Sequence, residues 1–169
     1  MRRFILIGIL CLFACLFFIT CENRSATEED GEEGEASGDI EADNEKWLDT
    51  EVEVEPAGSL HIVATGTVRL NPNGVPVHPD GSEIDLECGE DCPLPDAPAG
   101  ALIGQINLKS EKFLVGAEYM EEVDDSGVLY LIVNDDSYSD NEGAFSVEIF
   151  YTPPETAEDD DESDDDTGN

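Results

Sequence analysis

The chain has 169 residues, with Asp+Glu 42 against Lys+Arg 7 and a formal net charge of −35. That length fits one ordinary domain, and a surface so acidic repels phosphate backbones and anionic lipid head groups, which excludes nucleic acid as a partner. Soluble cations are the partners such a charge favours.

Met1-Arg2-Arg3 is a short positive segment, and Phe4 to Thr20 runs seventeen residues without a charge or a proline before Cys21-Glu22-Asn23. Residues 1–20 therefore have the layout of a bacterial secretory signal peptide. A short membrane-spanning helix is the alternative, since about 17–25 apolar residues suffice to span. Phe18-Ile19-Thr20-Cys21 resembles the lipobox of bacterial lipoproteins, with Phe18 in place of the usual leucine and Thr20 in place of the usual small residue. The resemblance implies cleavage before Cys21, lipidation of its thiol, and attachment to the cell envelope through the lipid alone. Glu22 is not the aspartate that favours inner-membrane retention in some bacteria, so the resemblance implies the outer membrane, with the leaflet open. An uncleaved anchor and simple secretion are the rival readings, and all three place the rest of the chain outside the cytoplasm.

After Cys21, residues 22–45 hold eleven acids, one Arg, three Gly and a single large aliphatic, Ile40. So little apolar surface cannot offset the entropy of ordering a chain, and residues 21–45 are expected to be a disordered, self-repelling tether. Residues 155–169 repeat the pattern, with nine acids in fifteen residues, and are expected to be a solvated tail.

Residues 46–154 contain Trp47, all four tyrosines and most of the aliphatics outside the apolar start, enough for one small core. Segments rich in β-branched and aromatic residues recur at Leu48–Val54, Leu60–Val68, Ala101–Leu108, Lys112–Ala117, Val128–Asn134 and Ala144–Thr152. Turn signals such as Asn71-Pro72-Asn73-Gly74 and Asp124-Asp125-Ser126-Gly127 separate them. In the last segment Phe145, Val147, Ile149 and Tyr151 share one face, the two-residue period of a half-buried strand. No window sustains a helical period. The expected fold is all-β: a single antiparallel, jelly-roll-like β-sandwich.

Once Cys11 and Cys15 leave with the signal and Cys21 is acylated, Cys88 and Cys92 remain, four residues apart. Outside the cytoplasm a small disulfide loop is expected, with Gly89 easing the turn. A zinc site would need two more ligands, and only His61 and His78 could add imidazoles.

The densest set of hard oxygen donors in the domain is Asn134-Asp135-Asp136-Ser137-Tyr138-Ser139-Asp140-Asn141-Glu142-Gly143, between two apolar strands. Calcium takes six to eight such oxygens from carboxylates, amides and main-chain carbonyls. The spacing is not that of an EF-hand, and the plain alternative is that Asp, Asn, Ser and Gly are simply what loops contain.

Leu131-Ile132-Val133-Asn134-Asp135, then Asp140-Asn141-Glu142-Gly143-Ala144-Phe145-Ser146-Val147, resembles the carboxy-terminal calcium loop of the PA-I galactophilic (LecA-like) lectin family. Trp47-Leu48-Asp49-Thr50, Leu60 to Gly66, Pro79-Asp80-Gly81, Gly100-Ala101-Leu102-Ile103-Gly104 and Phe113-Leu114-Val115-Gly116 follow the same order, so the likeness spans Trp47 to Tyr151. It implies a sandwich holding one calcium ion whose coordination shell is completed by two hydroxyls of a galactose-type sugar. Carried over, Asp135, Asp140 and Asn141 supply side-chain oxygens to the ion and contact the sugar, and the carbonyls of Ser137 and Leu70 add main-chain oxygens. His78, in a loop that in the lectins reaches over the sugar, is the further contact. Two departures stand out: the loop from Asp135 to Asp140 is two residues shorter than in galactose-binding members, and Asp140 stands where an asparagine is usual.

The expected function is therefore calcium-dependent carbohydrate binding by a cell-envelope lipoprotein. The alternative is an envelope lipoprotein that keeps the sandwich, with or without calcium, and binds no sugar. An enzyme is not expected, because a glycosidase needs two carboxylates about 5–9.5 Å apart across a cleft and so small a domain leaves little room for one. Trp47, Phe113, Tyr130 and Phe145 are expected in the core before any sugar-stacking role, and His61 at an outward strand position. The oligomeric state is open.

Overall fold

The computed structural model describes residues 34–155, Leu86 excepted. The signal segment, Cys21 and the acidic tail beyond Glu155 lie outside the described residues.

Eight strands form two four-stranded antiparallel sheets, as the strand-rich segments predict. The strands are β1 (Gly34–Glu41), β2 (Leu48–Val54), β3 (Ser59–Arg69), β4 (Leu102–Ile106), β5 (Phe113–Leu114), β6 (Glu118–Glu122), β7 (Gly127–Val133) and β8 (Glu142–Thr152). One sheet has the order β1-β8-β3-β6 and the other β2-β7-β4-β5. Alternation in β8 places Phe145, Val147, Ile149 and Tyr151 on the inner face, each no more than 4% exposed. Opposite them lie Leu102, Leu129, Leu131 and Val133 of the second sheet, also buried in the same core. Phe145 is fully enclosed, so Phe145→Ala is expected to destabilise the domain by about 3–5 kcal/mol, the cost of a large aromatic cavity. Denaturant unfolding monitored by Trp47 fluorescence measures this.

Two elements differ from expectation for one reason. Residues 34–41 are a strand rather than tether: β1 pairs with β8 over eight positions, from Gly34 with Tyr151 to Glu41 with Ala144. Its acids point outward, while Ile40 (3% exposed) and Ala42 (0%) enter the core. A neighbour that supplies a complete hydrogen-bond ladder makes a strand out of a segment whose own composition does not call for one. β6, charged at three of its five positions, forms likewise against β3 from Ser59 with Glu122 to Val63 with Glu118. The tether reading of residues 21–45 is thus corrected from Gly34 onward.

β2 carries two extra residues relative to β7, since Asp49 faces Tyr130 and Glu53 faces Val128. The bulge lets the Thr50 hydroxyl donate to the Leu129 carbonyl at 2.8 Å, tying an otherwise irregular edge strand to the sheet. Tyr130 departs from the core expectation: it is half-buried, and its hydroxyl donates to Asp49 Oδ2 at 3.3 Å. Trp47 packs in a second, smaller cluster with Ala97, Ile103 and Ile132. Phe113 closes the main core against Tyr119, ring centroids 4.7 Å apart.

Candidate calcium and sugar site

The loop between β7 and β8 begins as β7 leaves the sheet at Asn134-Asp135 and ends in a 3-10 turn, Tyr138–Asp140, directly before β8. Gly143 is needed where β8 starts. Its φ is +90°, and a Cβ there would lie 2.6 Å from the Thr67 carbonyl oxygen, so only glycine lets β8 close on β3 beside the loop.

The turn brings Asp135 and Asn141 together. Both are buried, 7% exposed each, and Asn141 Nδ2 donates to Asp135 Oδ2 at 2.8 Å and to the Ala42 carbonyl at 3.0 Å. Both partners are acceptors, so the amide nitrogen must face them. Asn141 Oδ1 is then left buried with no hydrogen-bond partner, alone in this among the described side chains. Burial raises the Asp135 pKa above its ordinary value. The Asn141 hydrogen bond opposes that rise, and the nearby charges of Asp136 and Asp140 add to it. A buried carboxylate only partly compensated by hydrogen bonds and a buried amide oxygen with none, on two residues in contact, are hard oxygen donors of the kind a divalent cation relieves.

Asp140 and Ser137 are exposed on the same turn, the Ser137 hydroxyl 3.4 Å from Asp140 Oδ1. Leu70 follows Arg69, whose β8 partner is Glu142, and the register therefore sets Leu70 beside Asn141. Of the five expected ligand residues, Asp135 and Asn141 are in contact, Ser137 and Asp140 adjoin each other on the same loop, and Leu70 follows the last paired residue of β3. Among the described residues no cluster of three or more His, Cys, Asp or Glu is placed to hold a metal. The donor set here is instead mixed: carboxylates, an amide and main-chain carbonyls. It fits calcium, which takes oxygen from any of them, better than a metal that wants imidazole or thiolate.

His78 stands in a loop fixed at both ends, by the pairing of Val77 with Val68 and of His78 with Gly81. Asp80 Oδ1 accepts the Ala117 N–H at 2.9 Å and tightens it further. His78 is exposed beside an open groove of about 410 Å³ that Val75, Asp80, Ser82 and Ile84 also line. Among the described residues no hydrogen bond joins it to Asp135, Asp140 or Asn141. His61 is directed outward, Nε2 3.2 Å from Glu118 Oε1 and its ring against Phe150.

Cys88 and Cys92 form a disulfide, as expected. What sequence reading missed is the work of Asn134, Tyr138 and Ala42. Asn134 is fully buried and bonded on every polar atom of its side chain. The Tyr138 hydroxyl donates to the Val133 carbonyl at 3.0 Å, and burial pushes its pKa up to about 12. Asn134 and Tyr138 lie inside the quoted motif. Their partners, however, are up to forty positions away in sequence, and no local signal names them.

No family model matches the sequence, and no curated protein matches it. Among solved structures, the chain is similar to the N-terminal domain of EclA, described as a PllA-like lectin. The two are 27% identical with a TM-score of 0.55, and the match covers 69% of this chain and 95% of that one. The two four-stranded antiparallel sheets and this likeness agree, and the chain carries a β-sandwich that resembles the LecA-like lectin fold.

Proposed function

We propose that the protein is a cell-envelope lipoprotein, anchored through Cys21 and expected at the outer membrane, whose lectin-like domain binds carbohydrate through a calcium ion. The observation that carries the reading is the orphan Asn141 Oδ1, on a residue whose Nδ2 holds the buried Asp135 carboxylate. Asp135, Asn141 and Asp140 would hold the ion with the Ser137 and Leu70 carbonyls. Calcium bound there would offer open coordination positions to vicinal hydroxyls. The protein's own part is to keep the donors rigid and to shield them from bulk water, and Asp135 and Asn141 do both by being buried. His78 is assigned to the sugar side of the site.

Melting curves of the full chain in detergent, with and without calcium and then with galactosides, test this. Calcium is expected to raise Tm, because an ion present at about 100 times its Kd stabilises by about 2.7 kcal/mol, and EDTA is expected to reverse the gain. Sugar binding is expected only in the calcium-loaded protein, and a Tm indifferent to calcium sinks the reading. The shortened Asp135–Asp140 loop favours a second reading, a sandwich that keeps the ion and binds no sugar. Calcium-dependent melting with a blank glycan array selects it.

A further inference from the structure

The loop between β3 and β4 and the loop after β7 meet at the Asn134 side chain. Asn134 Oδ1 accepts the Leu94 N–H at 2.9 Å, and Nδ2 donates to the carbonyls of Leu94 (2.9 Å), Pro98 (3.1 Å) and Ala97 (3.2 Å). Its main chain is held as well: the N–H donates to the Ala101 carbonyl at 2.8 Å, and the carbonyl accepts the Gly100 N–H at 2.7 Å. Cys88 Sγ lies 3.4 Å from that same carbonyl oxygen. Being disulfide-bonded, the sulfur carries no proton, and the approach is a packing contact. The loop between β3 and β4 is therefore folded around Asn134, with Cys88 of the Cys88–Cys92 bridge against its main chain and the Cys88 N–H donated to the Ala97 carbonyl at 2.9 Å.

A second link runs beside the first. Leu94 of the β3–β4 loop and Tyr138 of the candidate ion loop both pack on the small core of Ala97, Ala101, Ile103 and Ile132. Lys112 closes the same region, donating to the Pro93 carbonyl at 2.8 Å with its ammonium 5.9 Å from the Trp47 ring centre. Asp135 is the next residue after Asn134, so whatever moves the Asn134 backbone moves the buried carboxylate.

We propose that Asn134 is a positioning residue that couples the Cys88–Cys92 loop to the candidate ion site, so that opening the loop weakens calcium binding while the sandwich stays folded. The proposal rests on the calcium reading above. Groups that orient metal ligands without touching the ion typically change affinity by about 10–100-fold when lost. A loop released from its covalent closure no longer offers Asn134 four partners in one geometry.

The test uses the full chain in four forms: parent, the double variant Cys88→Ser/Cys92→Ser, Asn134→Ser, and Asn134→Asp, which keeps an acceptor for the Leu94 N–H. Calcium affinity is measured by calorimetry, the number of waters on bound terbium by its luminescence lifetimes in H2O and D2O, and amide exchange along residues 135–141 and in β3 and β8. Expected are about 10-fold weaker calcium binding in the double variant and in Asn134→Ser, with at least one additional water on terbium and β3 and β8 exchange unchanged. Asn134→Asp is expected to weaken calcium binding at least as much as Asn134→Ser, because its second carboxylate oxygen would face the carbonyls of Leu94, Ala97 and Pro98 with no proton to donate. Equal affinity and equal hydration in all four forms overturn the coupling. If the parent itself binds no calcium, the functional reading fails separately. Exchange then decides the coupling: faster exchange at Tyr138–Asn141 in the opened forms upholds it, and unchanged exchange overturns it. Should the double variant not fold, Asn134→Ser carries the test with the disulfide intact.

Discussion

Replacing Asp135 with asparagine is expected to weaken calcium binding by about 100-fold or more and to leave the ion-free protein at least as stable as the parent. The two halves of this result have one cause. The carboxylate is buried, and burial raises its pKa above the ordinary 3.8. An acid whose folded pKa is raised binds its proton more tightly folded than unfolded. Its ionised form therefore costs stability above the folded pKa, and that cost disappears as pH falls below the ordinary value. In the ion-free parent, acidification from neutral pH is expected to recover this contribution; in Asp135→Asn the contribution is already absent, so the variant's pH dependence is flatter through the carboxylate range. Calcium removes the cost by pairing the charge, so the parent gains from the ion what the variant holds without it. The asparagine keeps an oxygen able to accept from Asn141 Nδ2, which guards the fold. Calorimetry and melting curves of both forms across pH measure each half. Parent-like calcium affinity in the variant removes Asp135 from the ligand set, and a less stable ion-free variant removes the burial cost.

How far the fold and site could be read in the chain depends on where the deciding interactions lie. Leu48–Val54, β3, β4, β7 and β8 announce themselves because inner-facing apolar residues alternate along each, and the core takes those residues. Composition marks only an oxygen-rich motif between two apolar strands, and it is the resemblance to the LecA-like calcium loop that singles out Asp135 and Asn141 within it. β1 was not legible, because seven of its eight residues are small or acidic and its ladder is provided by β8. A strand that exists through its partner leaves only Ile40 as a trace. The same distance in sequence hid Asn134, which reads as one more loop amide until Leu94, Ala97 and Pro98 are folded onto it. The −35 charge acquires a narrower meaning beside these details. Among the described residues most acids are exposed and only solvate the surface, and Asp135 is the single buried carboxylate.

A chain beginning at Lys46, the domain start that composition suggests, is expected to be destabilised by several kcal/mol relative to one beginning at Cys21. It is also expected to lose most of its ion affinity. Removing β1 strips eight paired positions from β8 and takes Ile40 out of the core. The isoleucine alone is worth about 1.5–3 kcal/mol of burial, and each lost ladder hydrogen bond adds about 0.5–1.5 kcal/mol before the entropy of ordering the strand is returned. Against a total stability of about 5–15 kcal/mol this is enough to unfold much of the population. The site suffers separately, because Ala42 holds Asn141 through its carbonyl at 3.0 Å and its own N–H reaches the Gly143 carbonyl at 2.9 Å. Without that segment Asn141 Nδ2 loses one of its two acceptors, and the orphan Oδ1 is no longer held in place. Ile40→Asp in the longer chain separates the two effects: it is expected to lower stability while Ala42 stays to anchor Asn141, so the calcium affinity of the folded fraction should fall far less than in the truncated chain. Melting curves with calcium titrations on all three chains decide it. A Lys46 chain that melts and binds like the longer one returns Gly34–Glu45 to the role of a tether.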